Sequence, residues 1–291
     1  EKLGFECSGV DPAKNINQDS SIKIYKDFYN LKFIKKFILN KKFFDLIIGL
    51  NVFAHNDAFM EMFEASSRIL SEDGIFITEV AYLPSTIGSG NFDTIYHEHV
   101  CNYSLLSIEN SLKLVGLYIY HAELINTQGG SIRLVASKNF RKKKTISYLN
   151  IKNSEIKLGL HKIEYYLSIK SKIQKKINDL NYFFDCLIKK DQKLLLIGAP
   201  ARGVVTMNVC KTNNLKKCSI IVDDTIEKQG KLMPGVHIPI VSWKECNFSK
   251  YDICLILSWN YVDYLKERLI NTQFEGLIFT PFPTLKNLSN D

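Results

Sequence analysis

The sequence contains cysteines but no pairs of them. Its seven, at positions 7, 101, 186, 210, 218, 246 and 254, include no C-x-x-C spacing and are odd in number. That argues against a zinc site or a disulfide framework, so no metal is expected, and a cytoplasmic location fits. No apolar run approaches the roughly 18 residues of a membrane helix. The G-x-G-x-x-G turn of a dinucleotide site is missing too; Gly88-Ser-Gly90 follows the wrong strand, with no helix opening after it. The net charge of +8 is spread widely, and its one dense run, Arg141-Lys-Lys-Lys144, has no interleaved aromatics. It reads as a solvated loop, and neither a nucleic acid nor a membrane is an expected partner. The chain begins at Glu1 with no basic leader or apolar stretch behind it. This reads as a processed protein or a piece of a longer one. What is present is ordinary: 291 residues, 46% hydrophobic and 12% aromatic, enough for two domains with real cores.

Short β-rich runs alternate with helical stretches. Strands are expected at 5–10, 21–25, 44–50 and 74–80, with helices near 31–40 and 57–70. Phe44-Asp-Leu-Ile-Ile-Gly-Leu50 is continuous enough to predict a strand buried on both faces. In the helix at 57–70, Phe59, Met60, Phe63 and Ile69 are the candidate core contacts. A helix at 104–115 precedes strands at 117–125 and 130–137, which Gln128-Gly-Gly130 joins as a hairpin. Residues 151–188 read as one long amphipathic helix, or two. A second α/β pattern has strands at 193–198, 219–223, 252–258 and 276–280. The fold class is therefore α/β with a mostly parallel sheet. The expected domains are 1–150, a helical connector at 151–190, and a smaller Rossmann-like domain at 191–291.

Asp11 directly follows a strand, where a carboxylate can accept hydrogen bonds from ribose hydroxyls; taken alone, an Asp-Pro turn accounts for it better. Asn51-Val-Phe-Ala-His55 follows the most apolar strand, at the end where open α/β sheets bind ligands. His55 either contacts a ligand or caps the next helix. Glu79, if buried near its strand end, needs a partner. The sharpest feature is Phe92-Asp-Thr-Ile-Tyr96-His97-Glu98-His99, with four adjacent protonatable side chains in a loop. His97 and His99 suit a metal only with further ligands that the sequence does not cluster nearby. A polar loop with a capping histidine is another reading. A general base beside a carboxylate, with a phenol to meet developing negative charge, is the acid–base reading.

The segment FDTIYHEH, with NVFAH and the EVAYL strand before it, resembles the sugar C-methyltransferases of deoxysugar biosynthesis. Gln128-Gly-Gly-Ser-Ile-Arg133, Gly198-Ala-Pro-Ala-Arg-Gly203, and Lys228-Gln-Gly230 with Pro234-Gly235 and Ile238-Pro239 agree in order. The resemblance spans essentially the whole chain. It implies a class I methyltransferase (Rossmann-like) sheet and an enzyme that uses S-adenosylmethionine to methylate a carbon next to the keto group of a nucleotide-activated sugar, dTDP-linked. It implies His99 as base with Tyr96 and Glu98 beside it, and Asp11, Asn51, Phe53 and His55 near the cofactor. Arg202, with Gly198, Gly203 and Arg133, would serve the sugar nucleotide, Arg202 meeting its pyrophosphate. A monomer is expected.

The chain departs from that pattern in carrying Gln128 where the family commonly has His, and Val204 where it has Asn. The family's N-terminal zinc module and its Gly-rich cofactor strand are not in this sequence. The methyltransferase sheet is thus expected to be incomplete, with unpaired edges on the strands beginning near Phe5 and Phe44. The competing readings are a non-catalytic nucleotide-sugar-binding remnant and a nicotinamide oxidoreductase using the turn after Ile197. The latter is disfavoured because Gly198-x-x-x-x-Gly203 has the wrong glycine spacing.

Overall fold

A computed structural model describes residues 4–13, 22–127, 129–210, 215 and 219–289. The chain divides into two compact units. One comprises Glu1–Ala81, Val100–Ile125 and Ser131–Leu158; the other comprises Tyr82–His99, Asn126–Gly130 and Gly159–Asp291.

The first unit begins with two short parallel strands, β1 (Ser8–Val10) and β2 (Lys23–Tyr25). Helix α1 (Leu31–Leu39) starts where the Asn30 side chain accepts from the Phe33 amide, capping one of the otherwise unpaired first-turn donors. Phe33, Ile34 and Phe37 then fall on one helical face and bury against Ala65 and Ile69 of α2 (Phe59–Ile69). In α2 the fully buried residues are Met62, Phe63, Ala65, Ser66 and Ile69, while Phe59 and Met60 are only half-buried. Strand β3 (Phe44–Leu50) pairs parallel with β4 (Leu70–Ala81). The hairpin β5 (Tyr118–Ile125) and β6 (Ser131–Ser137) adds antiparallel strands, giving the order β3-β4-β6-β5. Helices α3 (Leu105–Leu114) and α4 (Ile146–Leu158) complete this unit.

One expectation is overturned here. Strand β3 is not buried on both faces. Phe44 and Ile47 pack beside α1, but Leu46, Ile48 and Leu50, alternating along the other face, are 46%, 55% and 48% exposed. Period-2 alternation puts these three on one side of the strand, which is about half open. Among the described residues, β3 pairs only with β4 and β1 only with β2. A cavity of about 290 Å³ is lined by Ser8, Gly9 and Val10 of β1 and by residues 46–49 of β3.

The second unit is built on the sheet β12-β11-β10-β7-β8-β9. Its strands are β7 (Leu194–Ile197), β8 (Ser219–Val222), β9 (Ile240–Val241), β10 (Ile253–Ile256), β11 (Leu277–Thr280) and β12 (Lys286–Asn287). All pairs are parallel except β11 with β12. Every residue of β7 and β10 is buried, as central parallel strands require. Helix α5 (Ile163–Lys189) packs Leu180, Phe183, Phe184 and Leu187 into this core, joined by α6 (Ala201–Val209), while α7 (Val262–Ile270) covers a second cluster.

Of the two forms expected for the connector, one helix or two, the structure has two, interrupted at Gly159, whose φ of +79° an L side chain rarely adopts. The first of them, α4, begins earlier than expected and clusters with the first unit. Conversely, residues 82–99 cluster with the C-terminal half, although sequence order alone places them in the N-terminal domain. A buried ion pair, two lysine hydrogen bonds and an aromatic contact described below hold them there.

Candidate active site

In the second unit the segment after β4 winds through two short 3-10 turns, Ile87–Ser89 and Phe92–Thr94. Asn91, Phe92, Asp93 and Thr94 are all buried. The Asp93 carboxylate accepts from Arg202 Nε at 2.9 Å and Nη2 at 3.2 Å, and from Trp259 Nε1 at 2.7 Å. The Arg202 guanidinium lies over the Trp259 ring at 4.5 Å. The segment is held elsewhere too. Lys176 Nζ donates to Asn91 Oδ1 at 2.6 Å, Lys172 Nζ to the Gly88 carbonyl at 2.9 Å, and Phe92 meets Phe282 edge-on.

On this anchored base stand Tyr96 and His99. The Tyr96 hydroxyl is 2.9 Å from His99 Nε2, and His99 Nδ1 is 3.0 Å from the Thr94 carbonyl oxygen. A carbonyl only accepts, so Nδ1 carries the proton. In the neutral imidazole the Nε2 lone pair then accepts from the phenol. Burial, and next the charge of Glu98, hold the Tyr96 phenol above its ordinary pKa, keeping it a donor. Glu98 and His97 are exposed, 3.8 Å apart. Tyr96, Glu98 and His99 thus fall on one short segment, with a base of defined tautomer and a neutral phenol touching it.

The residues expected to serve the sugar nucleotide have the following surroundings. Arg202 is buried against Asp93 rather than presenting its fork to an anion. Gly198 has φ +87°, and a Cβ there would stand 2.0 Å from Ser258 Oγ; a Cβ on Gly203 would press on Leu257 and Pro200 at 3.1 Å. Both positions are closely packed by neighbouring side chains. The amide after Gly198, that of Ala199, donates to Asp223 Oδ2 at 2.6 Å, and Lys228 Nζ donates to the Ala199 carbonyl at 3.0 Å. Arg133 belongs to the first unit, where it pairs with Glu79 at 3.0 Å and Glu123 at 3.1 Å. It is the partner that the buried Glu79 required. Gln128 lies outside the described residues.

In the first unit, Asp11 is exposed just past β1, and its Oδ1 accepts from the Ala13 amide at 2.8 Å. Asn51 caps the end of β3 in the left-handed region (φ 55°), its amide donating to the Glu79 carbonyl at 2.8 Å and its side chain to Glu79 Oε1 at 3.3 Å. Phe53 is buried against Phe63 and Phe76, and its carbonyl accepts from Tyr103 at 3.1 Å. His55 is exposed in a 3-10 turn and does not cap α2, which lacks a side-chain cap. Asp11 and Asn51 therefore both sit at carboxyl ends of parallel strands. A carboxylate and an amide in those positions suit the hydroxyls and amine of a nucleoside-bearing cofactor. Phe53 contributes packing. Among the described residues no group of three or more His, Cys, Asp or Glu is arranged to hold a metal ion, and no helix is long and apolar enough to cross a membrane.

Asp93, Thr94 and Trp259 escaped the sequence reading. Asp93 stood inside the motif but offered no spacing signal to Arg202. Thr94 acts through its backbone, and Trp259 is 166 residues away from the carboxylate it meets.

The family described as the C-methyltransferase C-terminal domain matches residues 126–283. C-methyltransferase NovU of Streptomyces niveus is 26% identical over 298 residues, covering 99% of this chain and 70% of that protein. Among solved structures, the PH0226 protein of Pyrococcus horikoshii is 17% identical with a TM-score of 0.34, covering 47% of this chain and 74% of its own. An S-adenosylmethionine-dependent methyltransferase of Clostridium acetobutylicum is likewise 17% identical, with a TM-score of 0.35 over 45% of this chain and 74% of its own.

Proposed function

Because the chain belongs to the family of C-methyltransferases that carry this C-terminal domain, we propose that it serves S-adenosylmethionine-dependent methylation of a carbon beside the keto group of a nucleotide-activated deoxysugar. The observation that carries the reading is the hydrogen-bond chain Tyr96–His99–Thr94. Once the Tyr96 hydroxyl turns from Nε2 to the keto oxygen of the substrate, His99 Nε2 takes the proton α to that ketone, and the electron pair of the broken C–H bond becomes the enolate. The Thr94 carbonyl keeps Nδ1–H in place before and after that transfer. Tyr96, a neutral phenol touching the base, is the donor suited to the enolate oxygen. S-adenosylmethionine, when bound, supplies an electrophilic methyl group. Asp11 and Asn51 would hold its nucleoside and amino acid portions. Glu98 is the carboxylate nearest the dyad in sequence and balances the charge that His99 acquires.

We also propose that these residues form part of a longer protein. The support is the cavity between β1 and β3 and the exposed row Leu46, Ile48 and Leu50 beside it. One parallel strand with an apolar segment following it would satisfy both edges. On this reading residues 1–291 alone bind S-adenosylmethionine weakly. Calorimetry showing tight binding by this chain contradicts it.

The test of the chemistry uses the polypeptide extended by whatever its gene encodes upstream. In deuterated water a dTDP-4-keto-deoxysugar is expected to exchange its α-proton, and His99→Gln to slow that exchange by about 10²–10⁴-fold. Exchange unchanged in the variant removes His99 as the base. If the extended protein binds the nucleotide sugar but neither exchanges nor methylates it, the non-catalytic binding reading stands instead.

A further inference from the structure

The His99 imidazole can act as the base only if its lone pair is on Nε2, the nitrogen that meets Tyr96, and its proton on Nδ1. That depends on the Thr94 carbonyl, and Thr94 sits next to Asp93. Asp93 is fully buried and its carboxylate accepts three hydrogen bonds, two from Arg202 and one from Trp259. Arg202 comes from the first turn of α6, and Trp259 from the 3-10 turn after β10. Two elements of the second unit's central sheet region thus converge on one side chain of the loop. A buried ion pair is not an economical way to stabilise a fold, since well-packed apolar residues do as well or better. What it does supply is geometry: a bidentate fork fixes the carboxylate in plane and orientation.

We propose that Asp93, Arg202 and Trp259 are positioning residues for the His99 base, a lock whose function is to hold the Thr94 carbonyl where it selects the Nδ1–H tautomer. This rests on the reading of His99 as the base, but the lock can be tested apart from it. Asn91, held by Lys176, secures the other flank of the same turn, and the Thr94 hydroxyl donates to the Asn91 carbonyl at 3.0 Å. With both flanks held, the Thr94 carbonyl has one orientation. Release of the Asp93 flank lets that peptide rotate, the Nδ1–H bond is lost, and both tautomers become populated.

The experiment is nitrogen NMR on residues 1–291 labelled at histidine, with the His99 signals assigned by their loss in His99→Gln. The wild type is expected to show Nδ1 protonated and Nε2 unprotonated at a pH where the ring is neutral. Asp93→Asn and Arg202→Gln are expected to give a tautomer mixture, and Trp259→Phe, which removes one of three bonds, a smaller admixture. In the extended enzyme, Asp93→Asn is expected to lower the kcat of α-proton exchange about 10²-fold with KM little changed. Arg202→Lys, which keeps the charge but not the fork, is expected to lose nearly as much. If Asp93→Asn does not fold, Arg202→Lys and Trp259→Phe carry the same test. Variants that lose thermal stability but keep the wild-type tautomer overturn the lock and leave only a structural ion pair. If the tautomer responds as described while His99→Gln leaves exchange intact, the lock stands and the assignment of the base falls.

Discussion

Tyr96 and His99 face each other across a single turn, with the phenol hydroxyl 2.9 Å from Nε2 and the ring centroids 4.2 Å apart. The same turn is closed by the His99 amide on the Tyr96 carbonyl at 2.9 Å. This is a contact between side chains three apart in a loop, and it makes the phenol the first group the base meets.

The pH behaviour of that pair follows. Burial first, and then Glu98, raise the Tyr96 pKa above its ordinary value of 10.0. A raised folded value means that the contribution of the protonated phenol is fully present below 10.0 and is lost as pH rises through the folded pKa. On the alkaline side, exchange by the wild type should therefore show a plateau that declines only above 10. Tyr96→Phe should lower the plateau by about 10²-fold, the cost of one oxyanion donor, and abolish the alkaline decline. An unchanged alkaline limb in the variant assigns that limb to another group.

In the first unit, Glu155 of α4 is fully buried and accepts from the Leu105 and Leu106 amides at 2.6 and 2.8 Å. These are first-turn donors of α3 with no intrahelical partner, and a carboxylate also opposes the positive end of the helix. Glu155→Ala is expected to lower stability by about 1–3 kcal/mol, because buried donors lose their acceptor. Hydrogen exchange at Leu105 and Leu106 should speed up most, with Glu155→Gln intermediate because its single carbonyl oxygen replaces two acceptors. Unaltered protection of those amides in Glu155→Ala would show that water replaces the carboxylate without loss.

Gly198 separates a packing role from a ligand role. Its φ of +87° and the approach of Ser258 leave no space for a Cβ, so Gly198→Ala should destabilise the second unit by about 1–3 kcal/mol. Both tryptophans, Trp243 and Trp259, lie in that unit, so fluorescence during urea unfolding reads it alone. Adding Ser258→Gly should recover part of the loss. A Gly198→Ala protein of wild-type stability that binds a nucleotide sugar more weakly would return Gly198 to the binding surface.

Much of this protein is written locally. The order of strands and helices, the hairpin through Gly129 and Gly130, the placement of Asp11 and Asn51 at strand ends, and the loaded run from Tyr96 to His99 follow from periodicity, turn residues and short motifs, because each depends on neighbours within a few positions. The exposure of Leu46, Ile48 and Leu50 was not legible. An apolar strand reads the same whether its second face is covered or bare. Nor were the partners of the charged side chains: Arg133 goes to Glu79 and Glu123, and Arg202 to Asp93 across 109 residues. Composition shows that a buried charge must be paired, but which opposite charge it finds is set by topology. Only the tertiary structure decided that residues 82–99 group with the C-terminal half. The sequence determined the reactive side chains, and the fold determined what holds them, because a hydrogen bond has a short reach in space and no fixed reach along the chain.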